Sequence, residues 1–222
     1  MEDVLKVGGS LIEHPSELKG LCRTLASLAK THKMLVVPGG GVFADLIRRI
    51  DEVYGLSNTI AHRMAILAMD QYGLFLSNMI LNSFTCYSLE EARNAKPSSL
   101  PILLPSRYML HEDPLEHSWD VTSDSIAAYI AGVLNAKKII LVTDVDGIYT
   151  EDPKKNTNAK FISHITATEL INWGKRTSVD KVLPEVLIKF KLNCYVVNGI
   201  YPDRVRAVIE GRDSIYTHIT PQ

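Results

Sequence analysis

The chain has 222 residues, of which 46% are hydrophobic and 22% are charged, so it can bury the core of one large domain. Its formal net charge is −1 and it has no basic block, which excludes a protein held on nucleic acid by phosphate charge. No apolar run approaches the ~18 residues that a membrane span needs, and the N-terminus lacks the pattern of a signal peptide.

The cysteines indicate the compartment. Cys22, Cys86 and Cys194 are odd in number, lie far apart and include no CxxC pair. A disulfide framework or a zinc site would need a different spacing. We therefore expect reduced thiols in a cytoplasmic protein that binds neither nucleic acid nor membrane.

Strands and helices are predicted to alternate along the chain. The predicted helices have apolar residues at helical spacing, and Ser16 is a candidate cap for the first of them. In chain order the predicted elements are a strand over residues 3–8, a helix over 16–32, a strand over 33–38, a helix over 42–55, a helix over 59–82, strands over 84–88 and 101–106, a helix over 122–136, a strand over 137–145, a helix over 180–193, a strand over 194–199, a helix over 201–211 and a strand over 213–219.

Several predicted strands are apolar along their whole length. Such strands are typical of a mostly parallel sheet covered by helices on both faces, so an α/β fold is predicted. Ligands of these sheets bind beyond the C-terminal ends of the strands. Four loops rich in glycine or polar residues follow strands, at residues 8–10, 39–41, 143–147 and 198–199. Their convergence predicts a binding site at this edge of the sheet.

Three consecutive glycines, Gly39, Gly40 and Gly41, lie between a predicted strand and a predicted helix. Glycine loses more backbone entropy on folding than any other residue, so the run must permit a structure that other residues would not. A bare backbone and a helix N-terminus together suit an anion, most often a phosphate. A turn that only reverses the chain is the alternative.

Known loop patterns narrow the chemistry. Residues 39–44 fit the dinucleotide-binding pattern G-x-G-x-x-A. That pattern also requires an acidic residue ~20 positions further on, at the end of the next strand, whereas the sequence around His62 is predicted to be helical. This disfavours a nicotinamide dehydrogenase. No P-loop, Ser-His-Asp order or HExxH occurs. The other histidines are expected on the surface or in loops, and only His62 is kept, as a weak candidate for the substrate site.

Three charged residues could act on phosphate groups at this edge. Lys6 lies in an apolar strand, where a lysine is costly unless it reaches a phosphate or, at a strand edge, the solvent. Asp124 either caps a helix or orients lysines that hold phosphates. Lys181 opens a predicted helix, where a cation is disfavoured unless it shares an anion. Two lysines, two glycine loops, one carboxylate and Mg²⁺ meet the needs of phosphoryl transfer, and no residues are predicted as ligands of a metal of the protein's own.

The chain resembles the amino acid kinase family. The resemblance covers nearly the whole chain and rests on the stretches "KVGGSLIE", "VVPGGGVFAD", "TSDSIAAYIAG" and "LVTDVDGIYTEDPK", in this order and at this spacing. It implies a three-layer α/β/α sandwich with a mostly parallel central sheet, formed by a single domain over residues 1–222. The part up to about residue 120 would bind the acceptor, and the part from about 121 would bind ATP with Mg²⁺.

Site residues follow from the matching positions. The resemblance implies that Lys6 and Asp124 act in catalysis, with Asp124 organising the lysines, and that Gly40 and Gly41 line the transfer site. The residues that would hold the ATP phosphates or border the adenosine are Gly8, Gly9, Ser10, Thr143, Asp144, Gly147, Tyr149, Asp152 and Lys154. The resemblance implies a third catalytic residue, Lys181, which matches by its distance to "VVNG" the family lysine that bridges the transferring phosphate. One departure concerns the segment around it: many members have Gly-Gly-Met-x-x-Lys there, whereas this chain has "KRTSVDKVLPEVL" without the glycines.

The acceptor is narrowed by resemblance within the family. The stretches "VPGGGVFAD", "AHRMAILAMDQYG" and "TSVDK" look most like the kinases of methanofuran biosynthesis, which convert aminomethylfuranyl-methyl phosphate to the diphosphate. Isopentenyl phosphate kinase and uridylate kinase activities are the enzymatic alternatives, and a molybdenum-storage-like protein that binds ATP and oxoanions is the non-enzymatic one. A homo-oligomer, a dimer or larger, is expected.

The acceptor side is expected to include Gly39, Gly40 and Gly41 together with Asp45, Arg48 and His62. Isopentenyl phosphate kinases have a histidine at the place of Asp45. An ionised carboxylate there would repel the acceptor's phosphate unless a cation offsets it. Either Asp45 pairs with Arg49 one turn on, or it faces a cation of the substrate while Arg48 or His62 binds the phosphate.

Overall fold

Strands and helices alternate along the chain in the computed structural model, which describes residues 2–151, 153, 156–175 and 177–222. In chain order the elements are β1 (Asp3–Val7), a 3-10 helix (Gly9–Glu13), α1 (Pro15–Leu28), β2 (Met34–Pro38), α2 (Gly41–Tyr54), α3 (Asn58–Met79), β3 (Ser83–Cys86), α4 (Leu89–Arg93), β4 (Leu100–Leu103), α5 (Ser106–Glu112), α6 (Ser123–Val133), β5 (Lys138–Thr143), β6 (Ile148–Tyr149), β7 (Phe161–Ile162), β8 (His164–Thr166), α7 (Ala167–Trp173), α8 (Leu183–Phe190), β9 (Asn193–Asn198), α9 (Pro202–Ile209) and β10 (Tyr216–Thr220).

The central sheet has eight strands in the order β3-β4-β2-β1-β5-β9-β10-β8. Its pairings are parallel except that of β9 with β10. Strands β6 and β7 form a separate antiparallel pair. The centre of the sheet is β1, which pairs with β2 on one side and with β5 on the other. The predicted α/β fold with a mostly parallel sheet is confirmed.

Each central strand serves two apolar layers because successive side chains point to opposite faces of the sheet. In β1, Val4 belongs to the cluster formed with α6 and α8, whereas Leu5 belongs to the cluster formed with α1 and α9. The long helix α3 contributes to both clusters, with Ile66 in the first and Tyr72 in the second. Two helical layers therefore enclose one sheet, as the three-layer prediction required.

Some predicted boundaries are wrong. Ser16 does not cap α1, because the helix begins at Pro15, which follows His14 at the N-cap position and has the φ angle that a first helical residue needs. The helix predicted from residue 180 begins at Leu183, whose N–H donates to the Asp180 carboxylate at 2.8 Å. The last strand begins at Tyr216. The sequence does not predict the shorter elements α4, α5, β6 to β8 and α7, because each is too short to show a helical or an alternating pattern of apolar residues.

None of the described helices is long and apolar enough to cross a membrane.

Candidate active site

Two glycine loops meet backbone to backbone at the C-terminal ends of β1 and β2. A Cβ atom on Gly9 would lie 2.0 Å from the Gly41 nitrogen, so neither loop could approach the other if residue 9 had a side chain. Gly41 has a φ of +54°, which glycine adopts without strain. Helix α3 also fixes the loop after β1, since the buried Tyr72 hydroxyl donates to the Gly8 carbonyl at 3.1 Å.

The other two predicted loops join the same edge. The N–H of Gly8 donates to the Val142 carbonyl at 2.7 Å, and the N–H of Gly199 donates to the Thr143 carbonyl at 2.7 Å. The Asn198 side chain donates to Asp146 at 2.8 Å. The predicted convergence of four loops is confirmed by these contacts.

A cleft of about 270 Å³ opens above the glycine loops. It collects side chains from the end of β1, the start of α2, the first turns of α3 and the N-terminus of α6. Predicted site residues on its lining are Lys6, Gly8, Gly9, Ser10, Gly40, Gly41, Asp45, Arg48, His62 and Asp124. Gly39 does not line the cleft: its N–H donates to the Val7 carbonyl at 2.8 Å, and it permits close packing of the loop below.

The floor of the cleft contains an ion pair. The Lys6 ammonium lies 2.8 Å from the Asp124 carboxylate, and both side chains are about nine-tenths buried, at 12% and 10% exposure. Asp124 does not cap α6 with its side chain, because the Thr122 hydroxyl accepts from the Asp124 N–H. Lys6 therefore reaches a carboxylate rather than the solvent, and its ammonium faces the space above the glycine loops.

The N-terminus of α6 is fixed by a residue that the sequence reasoning did not single out. Asp180, which is 2% exposed, accepts from the Thr122 N–H at 2.9 Å and from the Ser125 N–H at 3.0 Å, and it also binds both hydroxyls of these residues. The same carboxylate accepts from the Leu183 N–H at the start of α8. Asp180 therefore caps two helices at once and positions the turn that carries Asp124.

Lys181 lies elsewhere. Its ammonium pairs with the Asp120 carboxylate at 3.1 Å, both side chains are nearly half exposed, and Lys181 is not among the residues that line the cleft. The cation at the start of α8 is thus neutralised by a surface carboxylate and not by an anion in the site. Its catalytic role stays a prediction of the resemblance that the described contacts do not support.

The segment expected to border the adenosine follows β5. Thr143 donates to Asp144, Tyr149 packs edge-on against Phe161, and the Gly147 carbonyl accepts from the Ser178 hydroxyl at 3.0 Å. Because Ser178 also lines the cleft, this segment adjoins the phosphate end of the site. Asp152 and Lys154 lie outside the described residues.

A network of hydrogen bonds that the sequence does not predict joins the segment after β5 to the start of α9. Asp146 accepts from Arg204 at 2.6 Å as well as from Asn198, and the Arg204 guanidinium lies 4.0 Å from the centre of the Tyr201 ring. The sequence predicts the loop at Asn198-Gly199, because a polar residue and a glycine follow a strand there. The pairing of Arg204 with Asp146 could not be predicted, because a single arginine in the first turn of a helix is common.

The opposite wall of the cleft has both signs of charge. Asp45 lies 3.6 Å from Arg48, one turn along α2, and not against Arg49 as one of the two alternatives required. The Arg48 guanidinium covers the Trp119 ring at 4.6 Å from its centre, and the Trp119 N–H donates to Asp51 at 2.7 Å. The Trp119 ring, which is fixed by its hydrogen bond to Asp51, therefore lies on the same wall of the cleft as the Arg48 guanidinium and the Asp45 carboxylate.

His62 lies at the far end of this wall, and it is buried. Its ring stacks on that of His117 with 4.7 Å between centroids. Burial lowers the pKa of His62 below its ordinary value, and the neighbouring His117 lowers it further. A neutral His62 is a weaker partner for a phosphate than Arg48. His117 lies in a loop, as expected, but its ring is packed against His62 and both of its nitrogens have partners.

Comparison with known proteins agrees with this geometry. Residues 3–198 match the model of the amino acid kinase family, so the chain belongs to the amino acid kinase family. The prediction of an ATP-dependent phosphotransferase is confirmed at this level.

Two relatives match almost end to end. A (5-(aminomethyl)furan-3-yl)methyl phosphate kinase of Methanocaldococcus jannaschii is 39% identical over 220 residues, which cover 97% of this chain and 96% of the relative. A uridylate kinase of Archaeoglobus fulgidus is 26% identical over 223 residues, which cover 95% of this chain and 96% of the relative.

Solved structures confirm the fold. The crystal structure of the uridylate kinase of Archaeoglobus fulgidus superposes with a TM-score of 0.77 at 22% identity, covering 99% of this chain and 100% of that one. The UMP kinase of Ureaplasma parvum superposes with a TM-score of 0.75 at 20% identity, covering 99% of this chain and 98% of that one.

Proposed function

We propose that this protein transfers the γ-phosphoryl group of ATP to aminomethylfuranyl-methyl phosphate, giving the diphosphate and ADP. In this step an oxygen of the acceptor's phosphate attacks the γ-phosphorus, a new P–O–P linkage forms, and the bond from the γ-phosphorus to the bridging oxygen breaks. The observation that carries the proposal is the paired Asp45 and Arg48 on the wall of the cleft. One wall thereby offers a carboxylate for an ammonium group and a guanidinium for a phosphate.

The cleft supports the transfer itself. Lys6, held against Asp124 at 2.8 Å, places a positive charge where the phosphates of ATP and of the acceptor would meet. The loops of Gly8 to Ser10 and of Gly40 and Gly41 bring bare backbone to the same place. Catalysis of phosphoryl transfer depends mainly on positioning and on charge neutralisation, and these residues would supply both.

The donor set also suits Mg²⁺, which is bound in such sites by one or two carboxylates together with substrate phosphates. The carboxylates on the cleft lining are Glu13, Asp45 and Asp124. Bound with ATP, the ion would neutralise charge on the transferring group. The N-terminal part of the chain, to about residue 120, would bind the acceptor, and the part from about 121 would bind ATP.

Asp45 gives the sharpest test. On this proposal Asp45→Asn raises KM for the aminomethyl acceptor by about 10- to 100-fold, the loss of one hydrogen bond to a charged group. An analogue with a methyl group in place of the aminomethyl group should be affected much less. Glu52→Gln is the matched control, because Glu52 is exposed on the same helix and does not line the cleft.

The acceptor panel decides between activities. We expect ADP release that depends on the aminomethylfuran phosphate, with isopentenyl phosphate and UMP as poor acceptors because neither has an ammonium group. Efficient turnover of isopentenyl phosphate or UMP, or equal weakening of both furan acceptors by Asp45→Asn, contradicts the assignment. ATP binding without acceptor-dependent ADP release points instead to a storage-like protein.

The proposal includes a homo-oligomer. Helix α2 has no buried residue, and α3 exposes Ile60, Leu67 and Leu74 at 46%, 47% and 51%. Their spacing of seven residues places them along one line of the helix, as in a helix–helix seam. We expect a second copy of the chain to cover this line.

We also keep the cytoplasm as the proposed location. All three cysteines are buried and free, the state that a reducing compartment maintains.

A further inference from the structure

A cluster of ligand-type side chains lies beside the cleft, between the start of α3 and the segment that follows α5. His62, Asp113 and His117 each offer one atom, and these atoms all lie within 4.8 Å of one another. We propose that His62, Asp113 and His117 bind a divalent transition-metal ion, with Zn²⁺ the best fit to the donor set.

Two of the three ligand atoms are already close to the spacing found around a bound ion. The His117 Nε2 lies 2.8 Å from an Asp113 oxygen, whereas two ligands on a tetrahedral zinc, each about 2.0–2.1 Å from it, are about 3.3 Å apart. The two atoms therefore need to separate by only a fraction of an ångström. Two rings that bind one ion from neighbouring positions have centroids roughly 5 Å apart, given the same bond length. The centroids of His62 and His117 are 4.7 Å apart.

A further residue orients the cluster. The Thr59 hydroxyl lies 2.9 Å from the His117 Nδ1, which leaves Nε2 directed at Asp113 and at the ion. Histidines that bind metals usually make such a hydrogen bond through their other nitrogen. Thr59 and His62 lie one turn apart at the start of α3, so a single helix presents both the orienting group and a ligand.

The donor set selects the kind of ion. Two imidazoles and one carboxylate suit Zn²⁺ and similar ions, whereas Mg²⁺ and Ca²⁺ prefer oxygen ligands. Three protein ligands leave at least one position open. His62 also lines the cleft, so the ion would lie next to the acceptor wall. The ion would fasten the segment that carries Trp119 to α3, and it would be distinct from any Mg²⁺ that accompanies ATP.

The experiment measures metal directly. The full chain is stripped with a chelator, loaded with Zn²⁺ and desalted, and its zinc content is determined by mass spectrometry. A parallel titration with Co²⁺ follows visible absorption, which reports a site of low coordination number. We expect one ion per chain for the wild type, and loss of that ion in His117→Ala and in Asp113→Asn.

Controls separate binding from folding. His111→Ala is a matched control, because His111 belongs to the same part of the chain and pairs with Glu112, at 3.0 Å, in an exposed position. This variant should bind metal as the wild type does. Thr59→Val keeps all three ligands and should weaken metal binding by about 10- to 100-fold. Circular dichroism melting reports whether each variant is folded.

Two results would overturn the site. One is a wild-type chain that retains no zinc after loading and desalting, in which case His117 joins the two segments by hydrogen bonds alone. The other is equal metal content in folded wild type, His117→Ala and Asp113→Asn, which would place the bound metal elsewhere on the chain.

Discussion

Lys6 is a charged residue in a strand whose neighbours are fully buried. Val4, Leu5 and Val7 are 0% exposed, and a lysine in such a strand needs a partner to offset its desolvation. Asp124 supplies it from α6, and the space above the glycine loops allows a phosphate to share the ammonium. Lys181 shows the contrary case, a lysine whose partner, Asp120, lies at the surface.

These two lysines therefore predict different outcomes for the same substitution. Lys6→Met keeps the apolar stem and removes the charge, and kcat should fall by about 10²-fold or more, as it does when one transition-state donor is lost. Lys181→Met should change kcat only a few-fold, about the effect of an exposed ion pair. Steady-state kinetics with saturating ATP measures both. A 10²-fold loss in Lys181→Met would restore the role that the resemblance implies.

Asp124 allows a second comparison at this scale. Asp124→Asn keeps an oxygen that can accept from Lys6 but removes the negative charge, and the Thr122 cap on α6 stays in place. We expect kcat to fall by about 10²-fold, the effect of misplacing a catalytic group by roughly an ångström. The melting temperature should change little. Unchanged kcat would mean that the negative charge of Asp124 is not needed for catalysis.

Helices α6 and α8 share one buried carboxylate. Asp180 accepts from backbone N–H groups of both, which are otherwise left without intrahelical partners at helix N-termini. The same contacts hold the segment that precedes α8 against the turn that presents Asp124. An acidic residue at this place thus stabilises two helices and one side of the cleft.

Substitution of Asp180 tests this double cap. In Asp180→Asn an amide N–H₂ replaces one carboxylate oxygen and faces at least one backbone N–H, which can only donate. The free energy of unfolding should therefore fall by about 1–3 kcal/mol. Asp203→Asn is the control, because Asp203 is exposed in the first turn of α9. Urea unfolding of both variants gives the comparison. Equal stability of the two variants would show that the Asp180 contacts contribute nothing net.

The elements differ in how well the sequence predicts them, and the reason is physical. The strands β1, β2, β5 and β9 are mostly apolar because both faces of the sheet are covered, and this pattern is visible in the sequence alone. The Lys6–Asp124 pair joins residues far apart in the chain. The types of these residues left a capping role for Asp124 open beside that of orienting lysines, and the resemblance to a family favoured the second. The contacts of Asp180 with Thr122, the Arg204–Asp146 pair and the stacking of His62 on His117 depend on tertiary proximity, for which local periodicity gives no signal.

At the scale of the whole molecule, helix α3 exposes a line of apolar side chains. Most apolar side chains of the described residues lie in the two clusters that enclose the sheet. Ile60, Leu67 and Leu74 lie outside both clusters, beside a helix α2 that buries none of its residues. Contiguous exposed apolar surface of this kind marks an interface more often than a free surface.

Sedimentation velocity tests the interface. We expect the wild-type chain to sediment as a dimer or larger, and the double variant Leu67→Glu, Leu74→Glu to sediment as a monomer, because two charges per copy would be desolvated in the seam. Ile171→Glu, which places a charge at a similarly exposed apolar position on α7, should leave the assembly unchanged. An unaltered sedimentation coefficient in the double variant would move the interface elsewhere.

Helix α3 also bears on how assembly and ligand binding communicate. One face of α3 places the Tyr72 hydroxyl on the Gly8 carbonyl, and another carries Leu67 and Leu74. A partner copy that shifts helix α3 would also shift the glycine loop after β1, and would thereby change the affinity for nucleotide. By thermodynamic reciprocity, a bound nucleotide would change the association constant of the two copies by the same factor. Dilution would then change nucleotide affinity, and Tyr72→Phe, which removes only the hydroxyl, would uncouple the two equilibria.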